Sequence, residues 1–209
     1  MTALQVVLAT RNEHKVAELR RILDDSGLDI ELVGVDAFDG VPEVAETGVT
    51  FAENALLKAH AVSRATGLPA IADDSGLCVD VLGGMPGVFS ARWSGPHRDD
   101  RANLELVLAQ LGDVPDEHRT ASFVCAAAVA MPDGGAAVVE GRWPGKLVHE
   151  PRGTNGFGYD PIFRPDGEVR TSAELGSAEK DASSHRGRAM RALVPVLAQL
   201  AAAGMLPPG

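Results

Sequence analysis

The sequence predicts a mixed α/β fold, a central β-sheet flanked by helices. Three observations carry this reading. Short apolar, β-branched runs alternate with helical periodicity through the first half; a long hairpin follows, marked by Pro132-Asp133-Gly134-Gly135; one long helix closes the chain. A doubly wound sheet would keep strict alternation, and this order does not. The 209 residues suffice for one large domain or two lobes with a sizeable core, and no repeat or low-complexity linker marks a boundary.

The elements follow in order. "LQVVLAT" (4–10) is a short apolar run with the character of a buried strand. Val16, Leu19, Ile22 and Leu23 recur at helical spacing, giving a helix over 15–25 that Ser26-Gly27 stops. "IELVGV" (30–35) is a second strand, and an acidic, Gly-containing loop follows. The next helix opens at Thr50 with Glu53 three residues on, a capping box; Gly67 ends it and Pro69 blocks continuation. "PAIAD" reads as a strand and "LCVDVLGG" as a further extended piece. Asp99 or Asp100 caps a helix through Leu111, with Leu104, Val107, Leu108 and Leu111 on one face. "TASFVCAAAVAM" and "AAVVEGRWPGKLV" form the hairpin. A glycine-rich loop covers 152–167, and the last helix runs over 184–203 with a kink expected at Pro195.

Composition narrows the function. Aromatic residues are 4% of the chain, so an aliphatic core is expected. The net charge of −10 argues against a nucleic acid polymer bound over a broad surface, which needs a basic face. A small phosphorylated ligand stays compatible, because a metal and a few local cations neutralise it. Cys78 and Cys125 lie in apolar runs without CxxC or metal-ligand spacing, and read as buried thiols of a reducing compartment. No basic stretch precedes the first apolar run, so no signal peptide is expected, and no run approaches the length of a membrane span. The expectation is a cytoplasmic protein with no membrane partner.

Four stretches carry chemistry. In "ATRNEHK" (9–15) a strand ends, a polar turn follows and a helix begins. N–H groups at a helix start attract anions, and Lys15 adds a full charge. Thr10, Arg11, Asn12, Glu13, His14 and Lys15 are therefore a candidate phosphate cradle; the plain alternative is a polar connection capped by Asn12. No GxxxxGK[ST] is present, which excludes a P-loop. Asp73 and Asp74 are placed at the end of a strand, where α/β proteins bind ligands. A hard divalent cation takes one or two carboxylates plus waters and phosphates, and neighbouring residues point in different directions, so one of the two is expected as ligand or base. The alternative is a turn in which both cap backbone. Glu46, in the acidic loop, becomes a second metal carboxylate only if it folds back onto Asp74. In "GTNGFGYDP" (153–161) glycines surround Phe157, Tyr159 and Asp160; they admit close backbone approach, and a ring offers a platform for a flat base. Lys180, His185, Arg186, Arg188 and Arg191 form the densest basic patch. His185 and Arg186 fall in the first turn of a helix, where the dipole disfavours cations, so something else asks for them. Together these features suit a nucleoside triphosphate, and no nucleophile triad competes.

Five stretches in this order carry a resemblance: "VVLATRNEHKVAEL", "ETGVTFAENALLKA", "PAIADDSGLCVDVLGGMPGVFSARW", "GTNGFGYDPIF" and "SHRGRAMRAL". Over nearly the whole length the chain resembles the Ham1/RdgB family of inosine triphosphate pyrophosphatases. The resemblance implies an elongated mixed sheet within a single domain over 1–209, with two lobes and the active-site cleft between them. It implies hydrolysis of ITP, dITP and XTP to the monophosphate and pyrophosphate, which cleans the nucleotide pool, with Mg²⁺ as cofactor and a homodimer as the assembly. It places Thr10, Asn12 and Lys15 at the triphosphate. Asp74 becomes catalytic base and metal ligand, with Ser75 beside the substrate and Glu46 as the second metal carboxylate. Phe157, Gly158, Tyr159 and Asp160, with Lys180, Ser184, His185 and Arg186, complete the base and phosphate pocket. Arg11 stands where many members carry a small residue, and Asn155 where Gly is common. Two rivals remain. "SHRG" and "GFGYDP" speak against the related Maf-type pyrophosphatases, which prefer other bases, and Asp74 and Lys15 speak against a nucleotide-binding module without turnover.

Overall fold

A computed structural model describes residues 4–11, 13–24, 27–28 and 30–202, apart from the side chains of Leu4, Glu13, His14, Glu18 and Leu23. Its strands are β1 (Leu4–Leu8), β2 (Ile30–Gly34), β3 (Ala70–Val79), β4 (Thr120–Ala130), β5 (Ala136–Leu147) and β6 (Phe163–Pro165). Its α-helices are α1 (Glu13–Asp24), α2 (Phe51–Thr66), α3 (Asp100–Gln110), α4 (Ser177–Ser183) and α5 (His185–Ala202). The six strands form one mixed sheet in the order β2-β1-β3-β4-β5-β6. β1 pairs parallel with β2, Val6 opposite Leu32, and with β3, Val7 opposite Ala70; β5 pairs antiparallel with β6. The mixed α/β class expected from the sequence is therefore the class observed.

Local chemistry explains the element starts. Glu53 N donates to Thr50 Oγ1 at 3.1 Å and Thr50 N donates to Glu53 Oε2 at 3.2 Å, which is the reciprocal cap at the head of α2. Asp99 Oδ1 accepts from Ala102 N at 3.0 Å and caps α3. Three features differ from the sequence reading. β3 is one strand of ten residues, where a strand, a turn and a second extended piece were expected. Asp73 and Asp74 lie inside that continuous strand rather than in a turn, and side chains from α1, α2 and α5 partner them. α4 precedes α5, and the loop over 152–167 contains a short 3-10 turn and the three-residue β6, both too short to leave a periodic pattern. Pro195 sits inside α5.

The chain divides into two compact units. The first comprises 1–74, 125–141 and 186–209. Its core joins Val6, Leu8 and Ile71 of the sheet to Leu19 and Ile22 of α1 and to Met190, Leu193 and Leu197 of α5, and is aliphatic as expected. The second comprises 75–124 and 142–185. Here the core is aromatic as well: Phe163 meets the ring of Phe123 at 4.7 Å between centroids and that of Trp143 at 5.4 Å. Arg119 is buried within it and donates to three backbone oxygens, of Leu147 at 3.0 Å, Leu111 at 2.7 Å and Val148 at 3.1 Å. Among the described residues no helix is long and apolar enough to cross a membrane.

Candidate active site

In the first unit, Asp73 and Asp74 are successive residues of β3, so their side chains leave opposite faces of the strand. Asp73 is buried, and its Oδ2 accepts from Lys15 Nζ at 2.9 Å and from Arg186 Nε at 3.2 Å; the thiol of Cys125 lies 4.0 Å away. Burial alone would raise its pKa. Lys15 and Arg186, with a smaller contribution from Lys58, overcome that and hold the carboxyl well below the usual carboxylate range. The cation at the head of α1 and the cation in the first turn of α5 thus share one carboxylate, the partner that the basic helix starts asked for. Lys15 is ion-paired rather than solvated.

Asp74 faces a second group. Its Oδ2 accepts from Asn54 Nδ2 at 3.0 Å, and its Oδ1 lies 3.7 Å from Lys58 Nζ. The same ammonium donates to Glu46 Oε1 at 2.9 Å. Glu46 therefore does fold back, and one cation joins the two carboxylates expected to hold a metal. Burial raises the pKa of Asp74; Lys58 opposes this and Glu46 adds to it, and the net direction is upward. Burial tends to lower Lys58, yet Asp74, Asp73 and Glu46 turn its shift upward. Asn54 and Lys58 were missed from the sequence. Their signal was there: two polar residues at i and i+4 of a capped helix lie on the same side of it.

In these pairs Lys15, Lys58 and Arg186 stand against Asp73, Asp74 and Glu46. Asp74 and Glu46 are hard oxygen donors that already share a cation, and they fit a divalent ion of the Mg²⁺ type, which takes one or two carboxylates plus water and phosphate. Among the described residues no group of three or more His, Cys, Asp or Glu is placed to hold a metal by protein ligands alone.

In the second unit the loop over 153–160 is held by carboxylates. Phe157 N donates to Asp160 Oδ2 at 2.9 Å, and Gly158 N to Asp100 Oδ2 at 3.0 Å. Asp160 also accepts from Ser172 Oγ at 2.7 Å and pairs with Lys180. Gly156 has φ +76°, and a Cβ there would run into the Asp160 carboxylate and the Lys180 ammonium. Phe157 stays 39% exposed, with Lys180 Nζ 5.6 Å from its ring centroid, beside a cavity of about 490 Å³ lined by Asp100, Leu104, Asn155 and Pro161. Tyr159 turns the other way. It is buried in the core, its hydroxyl donates to Ser90 O at 2.8 Å, and burial pushes its pKa up. His185 is buried and stacks on Phe123 at 4.8 Å. Ser75 is half-buried on β3, and Ser184, between α4 and α5, is buried.

Thr10 is half-buried just after β1. Arg11 donates to Asp36 Oδ1 at 3.3 Å and to Val41 O at 3.2 Å, an exposed tether to the segment after β2. Asn12 and the side chains of Glu13 and His14 lie outside the described residues. Asn155 anchors its loop, Nδ2 donating to Leu175 O and N to Ala173 O, both at 3.0 Å.

Comparison with known proteins gives the same direction. The model of the Ham1 family matches residues 6–196. A dITP/XTP pyrophosphatase of Streptomyces avermitilis is 66% identical over 196 residues, 94% of this chain and 98% of that one. A solved Ham1 protein from Coxiella burnetii aligns with TM-score 0.86 at 44% identity, over 94% of this chain and 99% of that one. A solved nucleoside-triphosphatase / dITP/XTP pyrophosphatase from Mycobacterium abscessus aligns with TM-score 0.77 at 55% identity, over 93% and 100%. The chain belongs to the Ham1 family.

Proposed function

We propose that this protein is a dITP/XTP pyrophosphatase, which splits the triphosphate of deaminated purine nucleotides, ITP among them, into the monophosphate and pyrophosphate. The observation that carries the reading is the Asp74–Lys58–Glu46 bridge on the strand that also bears the Asp73–Lys15–Arg186 cluster: a buried base, a pair of hard oxygen donors and anchored cations. The identity to relatives of that name supports it.

Phosphate chemistry falls to the first unit. Asp74, its pKa raised by burial, orients a water and takes its proton. The water oxygen bonds to the α-phosphorus, the bond from that phosphorus to the bridging oxygen breaks, and pyrophosphate leaves. Lys15 meets charge on the phosphates from a position that Asp73 fixes in advance. Mg²⁺, held by Asp74 and Glu46, supplies neutralisation of phosphate charge when bound. Base recognition is assigned to His185 and the loop over 153–160. The N–H groups of Phe157 and Gly158 are engaged by carboxylates, so we assign the reading of the purine 6-keto oxygen to His185, with Phe157 as the stacking face. A donor facing that oxygen meets another donor on adenine, a mismatch that costs much of the binding. A homodimer in the cytoplasm, where the nucleotide pool is used, completes the proposal.

The test is pyrophosphate release from dITP, XTP, ITP, ATP and GTP, with Mg²⁺ and with a chelator. Metal-dependent release from the first three is expected. Release from none would favour a binding module without turnover, and release from ATP as fast as from ITP would overturn the base assignment, since adenine lacks the 6-keto oxygen.

A further inference from the structure

Asn54 is fully buried in the first turn of α2. Its Oδ1 accepts from Gly48 N at 2.8 Å. A backbone N–H only donates, so this bond fixes the amide's orientation and turns Nδ2 toward Asp74 Oδ2, at 3.0 Å. One side chain thereby links the end of the loop that carries Glu46 to the carboxylate on β3. The other oxygen of Asp74 is the one 3.7 Å from Lys58. Gly48 is part of the arrangement: a Cβ there would meet Glu53 Cβ at 2.7 Å and Asn54 Oδ1 at 2.8 Å.

We propose that Asn54 is a positioning residue for the reaction, which uses the Glu46 loop as its fixed point to set the rotation of the Asp74 carboxylate and so the oxygen that Asp74 presents. The proposal rests on the assignment of Asp74 as the base. Asn54 touches no substrate in this account and acts through Asp74 alone. A reacting group displaced by about 1 Å can lose about 10²-fold in rate, so loss of this link reads out in kcat. A buried Asn that merely satisfied a loop would affect stability and leave kcat untouched.

The experiment compares Asn54→Asp, Asn54→Ala and Asp74→Asn in the full chain. Asn54→Asp keeps an oxygen for Gly48 N–H and removes the donor toward Asp74; Asn54→Ala removes both. Hydrogen exchange at the Gly48 amide, in protein without nucleotide or metal, reads the loop half of the link. Turnover of dITP, with folding checked by circular dichroism, reads the other half. Expected are Gly48 protection kept in Asn54→Asp and lost in Asn54→Ala, kcat down by about 10- to 100-fold in both, and KM within about threefold of wild type. Folded Asn54→Asp with wild-type kcat overturns the proposal. If neither variant folds, Gly48→Ala, which pushes the loop against Asn54, must show the same fall in kcat, and wild-type kcat there overturns it. Asp74→Asn separates the two readings. If it is inactive while Asn54→Asp turns over normally, only the positioning role fails; if it keeps the wild-type rate, the assignment of Asp74 fails first.

Discussion

Lys15 Nζ stands 2.9 Å from Asp73 Oδ2, a pair that joins the first turn of α1 to the middle of β3 across 58 residues of sequence. Arg186 takes the same oxygen. Removing one member of a buried ionic cluster leaves the others uncompensated, which costs about 3–5 kcal/mol. Asp73→Asn is expected to lose stability in that range at pH 7. The pH dependence has a definite sign. The folded pKa of Asp73 is depressed, so its stabilisation is present above the unfolded carboxylate value of about 3.9 and is lost as pH falls below it toward the folded value. Urea unfolding of wild type and variant at pH 7 and pH 3 should show the gap narrowing in acid. An equal gap at both would mean that the ion pair is not its cause.

Asp74 behaves in the opposite sense. Its folded pKa is raised, so the ionised form that the proposed base needs is disfavoured by the fold and is lost as pH falls through that raised value. Asp74→Asn should lose at least about 10²-fold in kcat, the usual size of a general-base contribution. A wild-type rate in that variant would overturn the assignment of Asp74 as the base.

Lys58→Met removes the attraction that holds the Asp74 pKa down. The acid limb of the kcat profile, at constant Mg²⁺, should move to higher pH in this variant. A limb that stays in place would show that Lys58 does not govern the base.

Phe157 and Tyr159 are two residues apart and should respond differently. Base–aromatic stacking is worth about 1–3 kcal/mol, so Phe157→Ala should raise KM for dITP by about tenfold or more with kcat nearly kept. Tyr159→Phe loses the bond to Ser90 O, about 1 kcal/mol of stability, and should leave KM unchanged. A KM effect in Tyr159→Phe would place its hydroxyl in the substrate pocket after all.

Arg119→Met takes a donor from the oxygens of Leu147 and Val148, and from that of Leu111, which keeps the N–H of Val114. An acceptor left unsatisfied costs about 1–3 kcal/mol, so a fall of about 2 kcal/mol or more in unfolding free energy is expected, with kcat of the folded fraction unchanged. Denaturant midpoints and turnover on the same sample check both halves.

The sequence by itself determined what local chemistry determines. Thr50 and Glu53 announced the start of α2, Asp99 that of α3, and Pro132 to Gly135 the turn between β4 and β5, because caps and turns are settled within a few residues. The motifs also named Asp74, Glu46, Lys15, Phe157 and Lys180 as candidates. Only the tertiary structure decided how these residues are paired. Arg186 meets Asp73 across 113 positions, Lys58 joins Glu46 to Asp74, and Asn54 turns out to link Gly48 to Asp74. It also sent Tyr159 into the core while Phe157 stayed exposed. Periodicity reports which face of an element is apolar, but ion pairs and buried hydrogen bonds depend on which elements the sheet order brings together. That choice is made by packing of the whole chain, and no short stretch of sequence contains it.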